Sequence, residues 1–270
     1  MEPRLAAILE EVRAARGRVV ALTGAGISAE SGIPTFRGQD GYWVVGGRNH
    51  VPQEMATREM FDRRPDEVWR WYLWRFGACR AAQPNAGHRA LVALEGALGE
   101  RFTLVTQNID GLHRRAGSRR VLAIHGDAAF VRCAADCGQP RLEQPDMGVR
   151  DGATPFGEAD RRALSCPRCG GWLRPHVLWF DECYDEENYS MQTALRAAAA
   201  ADLLLVVGTS GATNLPMQIG ELAWRRGVAL VDVNPEENPF AGLARRSEKG
   251  FFARGSAVER LPGIVEALVR

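Results

Sequence analysis

RVVALTGAGISA, residues 18–29, is the stretch that decides the fold of this 270-residue chain. Its first half is a short apolar run, which is typical of a strand buried on both faces of a parallel sheet. Its second half, residues 24–29, matches the pattern Gly-x-Gly-x-x-Gly/Ala, in which backbone N–H groups can approach a pyrophosphate closely. Because the pattern follows a strand directly, we predict a dinucleotide site here rather than a purely structural turn. The candidate cofactor-binding residues of this turn are Gly24, Ala25, Gly26 and Ser28.

Four further segments repeat the shape of this first strand. Each is a short aliphatic run that ends in small or polar residues, and helical stretches lie between the runs. Strands that alternate with helices predict an α/β fold, here a Rossmann-like parallel sheet with helices on both faces. Ligands of such sheets bind beyond the carboxyl ends of the strands, where the polar residues of this chain cluster. The predicted strands are residues 18–24, 102–108, 121–126, 202–210 and 228–234, and the predicted helices are residues 4–16, 85–99, 185–201, 214–226 and 258–269.

Two segments interrupt the alternation of strands and helices. Residues 45–84 contain WRWYLWRF, which is dense in aromatic residues and arginine and predicts a helical insert. Residues 131–175 carry paired cysteines among many Pro, Gly and charged residues. We therefore predict a dinucleotide-binding domain built from residues 1–44, 85–130 and 176–270, interrupted by the insert and by a small metal-binding module.

The composition is that of a globular protein, with 46% hydrophobic and 25% charged residues. The formal net charge of +1 predicts neither a nucleic-acid partner nor a membrane partner. No apolar run reaches the roughly 18 residues of a membrane span. The first 18 residues also lack the apolar core of a secretion signal. In this setting the six cysteines favour metal binding over disulfides, and we expect a reducing, cytoplasmic location.

Four of the cysteines form two close pairs, with the spacings Cys-x3-Cys and Cys-x2-Cys. Two thiol pairs separated by a spacer suit a tetrahedral structural zinc site, although coincidental cysteines are the alternative. Four thiolates close the coordination sphere, so this zinc would not be catalytic. The segment has few aliphatic residues, so the metal would supply folding energy. The predicted ligands are Cys133, Cys137, Cys166 and Cys169, and Cys79 and Cys183 are left as inert thiols.

Polar residues follow the second and third predicted strands. Asn108 and Asp110 can hydrogen-bond a ribose or an amide, or can simply stabilise a loop turn. His125 ends the next strand, and an imidazole with an ordinary pKa near 6.5 suits a general base. His113 is a second candidate base on chemistry alone, and either histidine could instead be structural.

An ordinary dinucleotide-dependent oxidoreductase is the competing interpretation of the fold. In that class an isolated Asp or Glu closes the second strand about 20 residues after the glycines and binds the ribose. Here the chain instead continues as ESGIPTFRG, residues 30–38, and the cysteine module would have no role. The sequence therefore disfavours an oxidoreductase.

The run GAGISAESGIPTFRG, residues 24–38, closely resembles the signature of the sirtuins, which are NAD-dependent lysine deacylases. TQNIDGLH, residues 106–113, is similar to their second motif, and His125-Gly126 to the segment that carries their catalytic histidine. Residues 208–210 and the strand end at Asn234 are similar to their later cofactor motifs. The resemblance spans about residues 20 to 262 and keeps the order of the family's motifs.

The resemblance implies a set of NAD-binding residues and one catalytic group. It selects His125 as the base, with Asn108 and Asp110 as further catalytic residues, and places His113 elsewhere. It also implies that the first cysteine pair has one residue more than the family's usual spacing. The implied NAD-binding residues beyond the glycine turn are Thr35, Phe36, Arg37, Gln107, Asn108, Ile109, Asp110, Gly208, Thr209, Ser210, Asn234, Pro235, Glu236 and Ala257.

The same resemblance implies a mechanism. The acyl oxygen of a modified lysine attacks the sugar carbon of NAD as nicotinamide leaves. His125 then removes a proton from a ribose hydroxyl, which attacks the resulting imidate, and water completes the release of lysine and acyl-ADP-ribose. Phe36 and Arg37 would shield the reactive sugar from water.

Tyr72-x2-Arg75 lies in the helical insert and resembles the pair found in sirtuins that remove succinyl, malonyl or glutaryl groups. Residues three apart share one face of a helix, and a phenol with a guanidinium can bind a carboxylate. Ala56 matches the small residue that widens the acyl pocket of those relatives. The alternative is an exposed arginine beside a core tyrosine.

RPHVLWFDE, residues 174–182, resembles the family's substrate-binding segment, where an acyl-lysine peptide adds as a strand. Val177, Trp179 and Phe180 would line the lysine tunnel. The chain departs from the family at Asp181, where many relatives have Gly, and at residues 211–216. Both departures border the peptide groove and bear on substrate preference.

The sequence leaves three other functions open. One is a plain deacetylase, in which Tyr72 and Arg75 do nothing for the acyl group. Another is an NAD glycohydrolase or ADP-ribosyltransferase, which would release nicotinamide without acyl-lysine. The last is an NAD-sensing module without turnover, which the candidate base His125 disfavours.

Overall fold

The computed structural model of the chain describes residues 1–33, 44–45, 48–49, 52–150 and 154–270. Its largest element is a six-stranded, wholly parallel sheet. The strands are β1 Val19–Thr23, β2 Val44–Val45, β3 Arg48–Asn49, β4 Phe102–Thr106, β5 Val121–Ala123, β6 Gly126–Cys133, β7 Leu142–Glu143, β8 Leu173–Val177, β9 Leu203–Val207, β10 Ala229–Asn234 and β11 Gly250–Arg254. The helices are α1 Pro3–Ala14, α2 Pro52–Met55, α3 Arg58–Arg63, α4 Pro65–Ala81, α5 Ala86–Leu98, α6 Leu112–Ala116, α7 Glu158–Ala163, α8 Glu186–Tyr189, α9 Met191–Ala199, α10 Asn214–Arg225, α11 Pro239–Arg246 and α12 Ala257–Val269.

The strand order of the large sheet is β11-β10-β9-β1-β4-β5. The chain starts in the middle at β1, builds outward through β4 and β5, and then returns to the other side of β1 with β9. The order therefore reverses between β1 and β9, which is the switch point where doubly wound sheets form a crevice for ligands. The predicted Rossmann-like α/β fold is confirmed.

Helices cover both faces of the sheet. Successive residues of each buried strand point to opposite faces, so each strand contributes to the core on either side. Val19 and Ala21 belong to the core formed with α1, α5 and α12. Val20 and Leu22 belong to the core formed with α9, α10 and α11. All five residues of β1 and of β9 are buried.

A smaller antiparallel sheet has the order β7-β6-β8, and the paired cysteines lie at the end of β6 and in the segments that connect these strands. Its core is continuous with that of α3 and α4, so the helical insert and the cysteine module share one cluster that includes Trp69, Val131 and Leu173. The indole Nε1 of Trp69 donates to the Leu173 carbonyl oxygen at 2.8 Å across that junction. The domain boundaries proposed from the sequence remain a prediction.

Several elements differ from the sequence expectations. The predicted helix 185–201 is two helices, because Ser190 has a φ of 51°. The Glu186 carboxylate accepts from the N–H groups of Gln192 and Thr193 and so begins the second helix. The sequence analysis missed α6, α11 and β11, and it predicted neither α7 nor the strands β6, β7 and β8 of the small sheet. No helix in the described ranges is both long and apolar enough to cross a membrane.

Candidate active site

Two glycine-containing turns interlock at the carboxyl edge of the large sheet. The Gly24 N–H donates to the Val207 carbonyl at 2.9 Å, and the Gly26 N–H donates to the Gly208 carbonyl at 2.8 Å. A Cβ on Gly26 would lie 2.7 Å from the Gly208 Cα, and one on Gly24 would lie 2.7 Å from the Cβ of Thr209. Close packing of two backbones therefore requires these glycines. The same packing fixes the turn after β1, where the dinucleotide site was predicted.

Ser28, Asn108 and Asp110 form a hydrogen-bonded cluster beside that turn. The hydroxyl of Ser28 donates to Asp110 Oδ2 at 2.7 Å, and Asn108 Nδ2 donates to Ser28 Oγ at 3.2 Å and to the Gly24 carbonyl at 3.0 Å. Burial raises the pKa of Asp110, and hydrogen bonds from the Leu112 N–H and from Ser28 oppose that rise. The structure thus brings three predicted site residues together, with amide and carboxyl groups of the kind that bind sugar hydroxyls.

Gln107 links the ends of neighbouring strands. Its Nε2 donates to Thr209 Oγ1 at 2.8 Å, and its Oε1 accepts from Thr213 Oγ1 at 3.1 Å. The carbonyl of Ile109, two residues on, accepts from the Ala128 N–H at 2.9 Å. The predicted cofactor residues that follow β4 are therefore tied both to the β9 turn and to β6.

His125 lies between β5 and β6, at the same edge of the sheet. Its backbone carbonyl accepts from the Leu178 N–H at 2.9 Å, so the residue adjoins the predicted substrate segment. The half-buried imidazole lies 2.8 Å from the hydroxyl of Tyr184, measured from Nε2. Burial lowers the pKa of His125 to about 4, and a hydrogen bond with the Gln107 backbone opposes the shift. The ring is therefore neutral at pH 7, as a general base must be.

His113 occupies a different environment. Its Nε2 lies 2.9 Å from Thr23 Oγ1, which itself hydrogen-bonds to Thr106 Oγ1 at 2.8 Å. Burial lowers the pKa of His113 to about 3, and its ring packs on that of His88 at 4.9 Å. These contacts bury His113 beneath the site and occupy Nε2, and its assignment to a structural role remains a prediction.

Asn234 is held at the end of β10 by a buried carboxylate. Asp232 accepts from Nδ2 of Asn234 and, at 2.8 Å, from Nδ2 of Asn238. Burial raises the pKa of Asp232 to about 6, and these two donors oppose the shift. Of the other predicted cofactor residues, Ser210, Pro235 and Glu236 are exposed and Ala257 is buried at the start of α12. Thr35, Phe36 and Arg37 lie outside the described residues.

The four paired cysteines converge beside the small sheet, at the Cys133 end of β6. Their sulfur atoms all lie within 4.8 Å of one another. Cys133 Sγ lies 3.6 Å from Cys169 Sγ, and Cys137 Sγ lies 3.7 Å from Cys166 Sγ. A tetrahedral Zn–S length of about 2.3 Å requires sulfur separations of about 3.8 Å, whereas a disulfide requires about 2.05 Å. The four cysteines are positioned to bind a zinc ion, and the extra residue in the first pair does not prevent this.

The predicted acyl-pocket residues lie against one another at the junction of the insert and the substrate segment. The Phe180 N–H donates to the carbonyl of Ala56 at 3.0 Å. The fully buried Tyr72 hydroxyl accepts from the indole Nε1 of Trp179 at 2.9 Å. Burial raises the pKa of Tyr72 to about 12, so the phenol stays protonated. Val177 is also buried, whereas Phe180 is 56% exposed.

Arg75 is only 8% exposed, which excludes the exposed-arginine alternative. Its guanidinium lies over the ring of Trp71 at 4.5 Å, one helical turn before it on α4. The charge of Arg75 also lowers the pKa of Tyr72, in opposition to burial, which places the two side chains near each other. The pair therefore shares one buried environment.

Arg174 and Glu182 hold the substrate segment in shape. The wholly buried guanidinium of Arg174 makes a two-pronged ion pair with the Glu182 carboxylate and donates to the Val177 carbonyl at 2.9 Å. It also lies 3.4 Å from the centre of the Trp179 ring. The Trp179 N–H donates to Glu182 Oε2 at 3.0 Å. Sequence analysis included both residues in the segment but gave neither a role.

The departure at Asp181 has a structural explanation. Its carboxylate accepts from the N–H groups of Arg58 at 2.7 Å and of Glu59 at 3.1 Å. These are the first residues of α3, whose N-cap hydroxyl on Thr57 accepts from the Met60 N–H. Asp181 therefore completes the capping of an insert helix from the substrate segment, which a glycine could not do.

Sequence reasoning missed Tyr184, Thr213 and Asp232. Thr213 lies in the departing segment 211–216, so the departure itself was a signal. Asp232 was visible as an acid inside an aliphatic strand, which is a costly placement without a partner. Tyr184 had no local signal, because its contact is with a residue 59 positions away.

Comparison with known proteins places this chain in a family. The Sir2 family model matches residues 24–214. The chain belongs to the Sir2 family. A curated relative from Leptospira interrogans, named NAD-dependent protein deacylase, is 38% identical over 93% of both chains. One of the same name from Aeropyrum pernix is 45% identical over 83% of this chain and 84% of its own.

Solved structures agree with this membership. A Sir2 homologue in complex with NAD is 35% identical and covers 99% of this chain and 94% of its own, with a TM-score of 0.80. A Sir2 structure with a p53 peptide and NAD+ is 27% identical and covers 98% of both chains, with a TM-score of 0.76. The Sir2 family chain described here therefore has the fold of proteins that have been solved with NAD and with peptide.

Proposed function

We propose that this Sir2 family chain is an NAD-dependent protein-lysine deacylase that removes succinyl and malonyl as well as acetyl groups. The products would be free lysine, nicotinamide and O-acyl-ADP-ribose. The observation that carries the proposal is the position of His125. Its neutral imidazole lies beside Gln107, and the backbone carbonyl of His125 accepts from the Leu178 N–H of the substrate segment. A base held next to both predicted binding regions is the arrangement that the reaction needs.

The residues at the sheet edge suit the co-substrate. Bound NAD would supply an electrophilic sugar carbon and nicotinamide as the leaving group. The interlocked turn at residues 24–28 would hold its pyrophosphate. Gln107, Asn108 and Asp110 would orient the nicotinamide and its ribose through amide and carboxyl groups. His125 would take the proton of a ribose hydroxyl at Nε2.

The buried pair in the insert supports an acidic acyl group. Because Tyr72 accepts a hydrogen bond from Trp179 and stays protonated, its own O–H can donate to a carboxylate. The guanidinium of Arg75 would add a charge-assisted bond to the same carboxylate. The stacking of Arg75 on Trp71 favours the second candidate, a plain deacetylase in which that arginine only packs the insert.

One turnover assay separates these functions. The same peptide carries acetyl-lysine or succinyl-lysine, each with NAD, and Arg75→Met is compared with the wild type. Arg70→Met is the matched control, because Arg70 is exposed on the same helix. We expect the wild type to prefer succinyl-lysine, Arg75→Met to lose that preference and Arg70→Met to keep it.

Other outcomes would select the alternatives. If acetyl-lysine reacts faster and Arg75→Met changes little, the chain is a plain deacetylase. If NAD is consumed while neither peptide reacts, the chain is a glycohydrolase. His125→Ala tests the base itself, and we expect turnover to fall by about 10²- to 10⁴-fold while the fold is retained.

A further inference from the structure

Tyr184 makes a direct contact with the candidate base that the proposed chemistry does not use. It lies in the loop between β8 and α8, two residues beyond Glu182. Its hydroxyl is 2.8 Å from Nε2 of His125, and the two rings are 5.8 Å apart between centroids. This is hydrogen-bond distance to a nitrogen that a base would use.

The contact lies among polar groups of the departing segment 211–216 and of the residues after β4. The Tyr184 hydroxyl lies 2.8 Å from Nε2 of His125, and the Gln107 backbone opposes the lowering of the pKa of His125 by burial. The Thr213 side chain and the Leu215 backbone oppose the rise that burial causes in the pKa of Tyr184, so both lie near its hydroxyl. The Thr213 hydroxyl donates to Gln107 Oε1 at 3.1 Å. The departing segment 211–216 thus borders the candidate base.

The contact with Tyr184 bears on the roles of the two ring nitrogens. The Gln107 backbone raises the pKa of His125 in opposition to burial, which is the effect of a carbonyl beside a ring N–H. Because Nε2 is the nitrogen that lies 2.8 Å from Tyr184, the geometry points to Nδ1 as the protonated nitrogen and to Nε2 as the acceptor of the Tyr184 O–H. Nε2 has only one lone pair, so Tyr184 and a substrate hydroxyl cannot both donate to it.

We propose that Tyr184 is a positioning residue for the base: in the free enzyme its hydroxyl holds His125 with Nε2 unprotonated, and it releases Nε2 when the ribose hydroxyl of the co-substrate binds. Only the release of Nε2 on co-substrate binding rests on the proposed function. The resting contact is a property of the free protein and is measured without turnover.

A change in the titration of His125 on removal of the Tyr184 hydroxyl would not be due to nearby charged groups. Within the described residues, no charged side chain contributes to the pKa of His125. The carboxyl groups of the surrounding elements are engaged elsewhere. Asp110 bonds Ser28 and Leu112, Asp127 pairs with Arg114, Glu182 pairs with Arg174 and Asp185 caps α8. Burial raises the pKa of Tyr184 to about 12, so it remains a donor across the range.

Histidine 15N NMR on the full-length, zinc-loaded protein tests the resting contact. Wild type and Tyr184→Phe are compared at pH 7 and through an acid titration, with His125→Asn used for assignment. We expect Nε2 to be unprotonated and hydrogen-bonded in the wild type, and free of that bond in Tyr184→Phe. A donor to Nε2 stabilises the neutral ring, so its loss should raise the titration midpoint of His125 by about half to one pH unit.

Tyr189→Phe is the matched control. Tyr189 lies five residues away, and its buried hydroxyl has no hydrogen-bond partner in the described part of the chain. This variant should leave both the Nε2 resonance and the midpoint of His125 unchanged. If Tyr184→Phe behaves like Tyr189→Phe at pH 7, the positioning role is wrong.

NAD binding tests the release of Nε2. Adding NAD to the wild type should move the Nε2 resonance, whereas an unmoved resonance in the complex would overturn the release step. In kinetics, the acid limb of kcat/KM, which reports the free enzyme, should move up by about half to one pH unit in Tyr184→Phe. The acid limb of kcat, which reports the bound enzyme, should stay in place. If the NMR shift is seen but no deacylation occurs, the proposed function fails and the resting contact stands.

Discussion

The large parallel sheet and the small cysteine-bearing sheet are stabilised in different ways. Strands β1 and β9 are buried along their whole length between two aliphatic cores. In the small sheet, β7 has only two residues and neither is buried, and the pairing of β6 with β8 shifts register between Gly126 and Val131. The core beneath it includes two cysteines. We therefore expect apolar burial to suffice for the large sheet and the small one to need a metal as well.

The residues proposed for catalysis and those proposed for acyl specificity lie in these two different regions. The residues proposed to act on NAD stand at the ends of strands in the large sheet. The pair proposed to bind the acyl group stands on α4, whose core is shared with the cysteine-bearing module. A disturbance of the metal site is therefore expected to reach the acyl pocket before it reaches the cofactor edge.

The largest expected effect is the loss of a zinc ligand. Cys133→Ser should reduce bound zinc from about one per chain to none, because a structural site needs all four thiolates. Hydrogen exchange should then lose protection in β6 and β8 while β1, β4 and β9 keep theirs. Zinc analysis with exchange mass spectrometry measures both. Cys183→Ser is the control, since this exposed cysteine lies outside the quartet. Equal loss of protection in both sheets would contradict the comparison.

The next largest effect comes from two substitutions that each create a cavity, one beneath each sheet. Leu205 of β9 and Leu164 of the module are both completely buried. Leu205→Ala should lower the free energy of unfolding by about 2–5 kcal/mol, because the aliphatic core cannot close the cavity. Leu164→Ala should lower it less, because the module can open without the large sheet. Urea unfolding measures both variants, and equal losses would show that the two sheets unfold as one unit.

The parallel sheet could be predicted because its strands are short aliphatic runs. The β11 strand, GFFAR at residues 250–254, is rich in aromatics and carries an arginine, so it escaped the pattern. The 121–126 run was predicted as one strand but contains all of β5, then His125, and the first residue of β6. Local patterns describe burial well and cannot show where a chain leaves one sheet for another.

Only part of the candidate site could be predicted from the sequence. Glycines and cysteines at fixed spacing have local causes, so their positions were visible in the sequence. The contact of Tyr184 with His125 and the capping of α3 by Asp181 join residues 59 and more than 120 positions apart. Such contacts depend on packing of separate elements, and no periodicity in the chain encodes them.

A smaller effect concerns the pH dependence of the large sheet. Burial raises the pKa of Asp232 from its ordinary value to about 6, so the folded state binds this proton more tightly than the unfolded state. Its contribution to stability is therefore complete below about pH 4 and is lost as the pH rises through 6, by up to about 3 kcal/mol. Asp232→Asn removes this dependence, because an amide, like the protonated acid, is neutral and offers one carbonyl oxygen to the two amide donors.

The stability of Asp232→Asn relative to the wild type should therefore depend on pH. The variant should be close to the wild type in stability near pH 4 and more stable above pH 7. Urea unfolding at both pH values measures it. If the difference between variant and wild type is the same at both, the buried acid does not titrate in this range.

The smallest expected effect tests the link between the two regions. Asp181 stands on the substrate segment and accepts from the Arg58 and Glu59 N–H groups at the start of α3. Asp181→Ala leaves those donors to water and should cost about 1 kcal/mol, as the loss of a helix cap does. Asp181→Asn keeps one acceptor oxygen and should cost less. Exchange at the first turn of α3 should speed up in the alanine variant while zinc content stays the same. If α3 is unaffected, Thr57 alone caps the helix, and the departure at Asp181 belongs to the peptide groove instead.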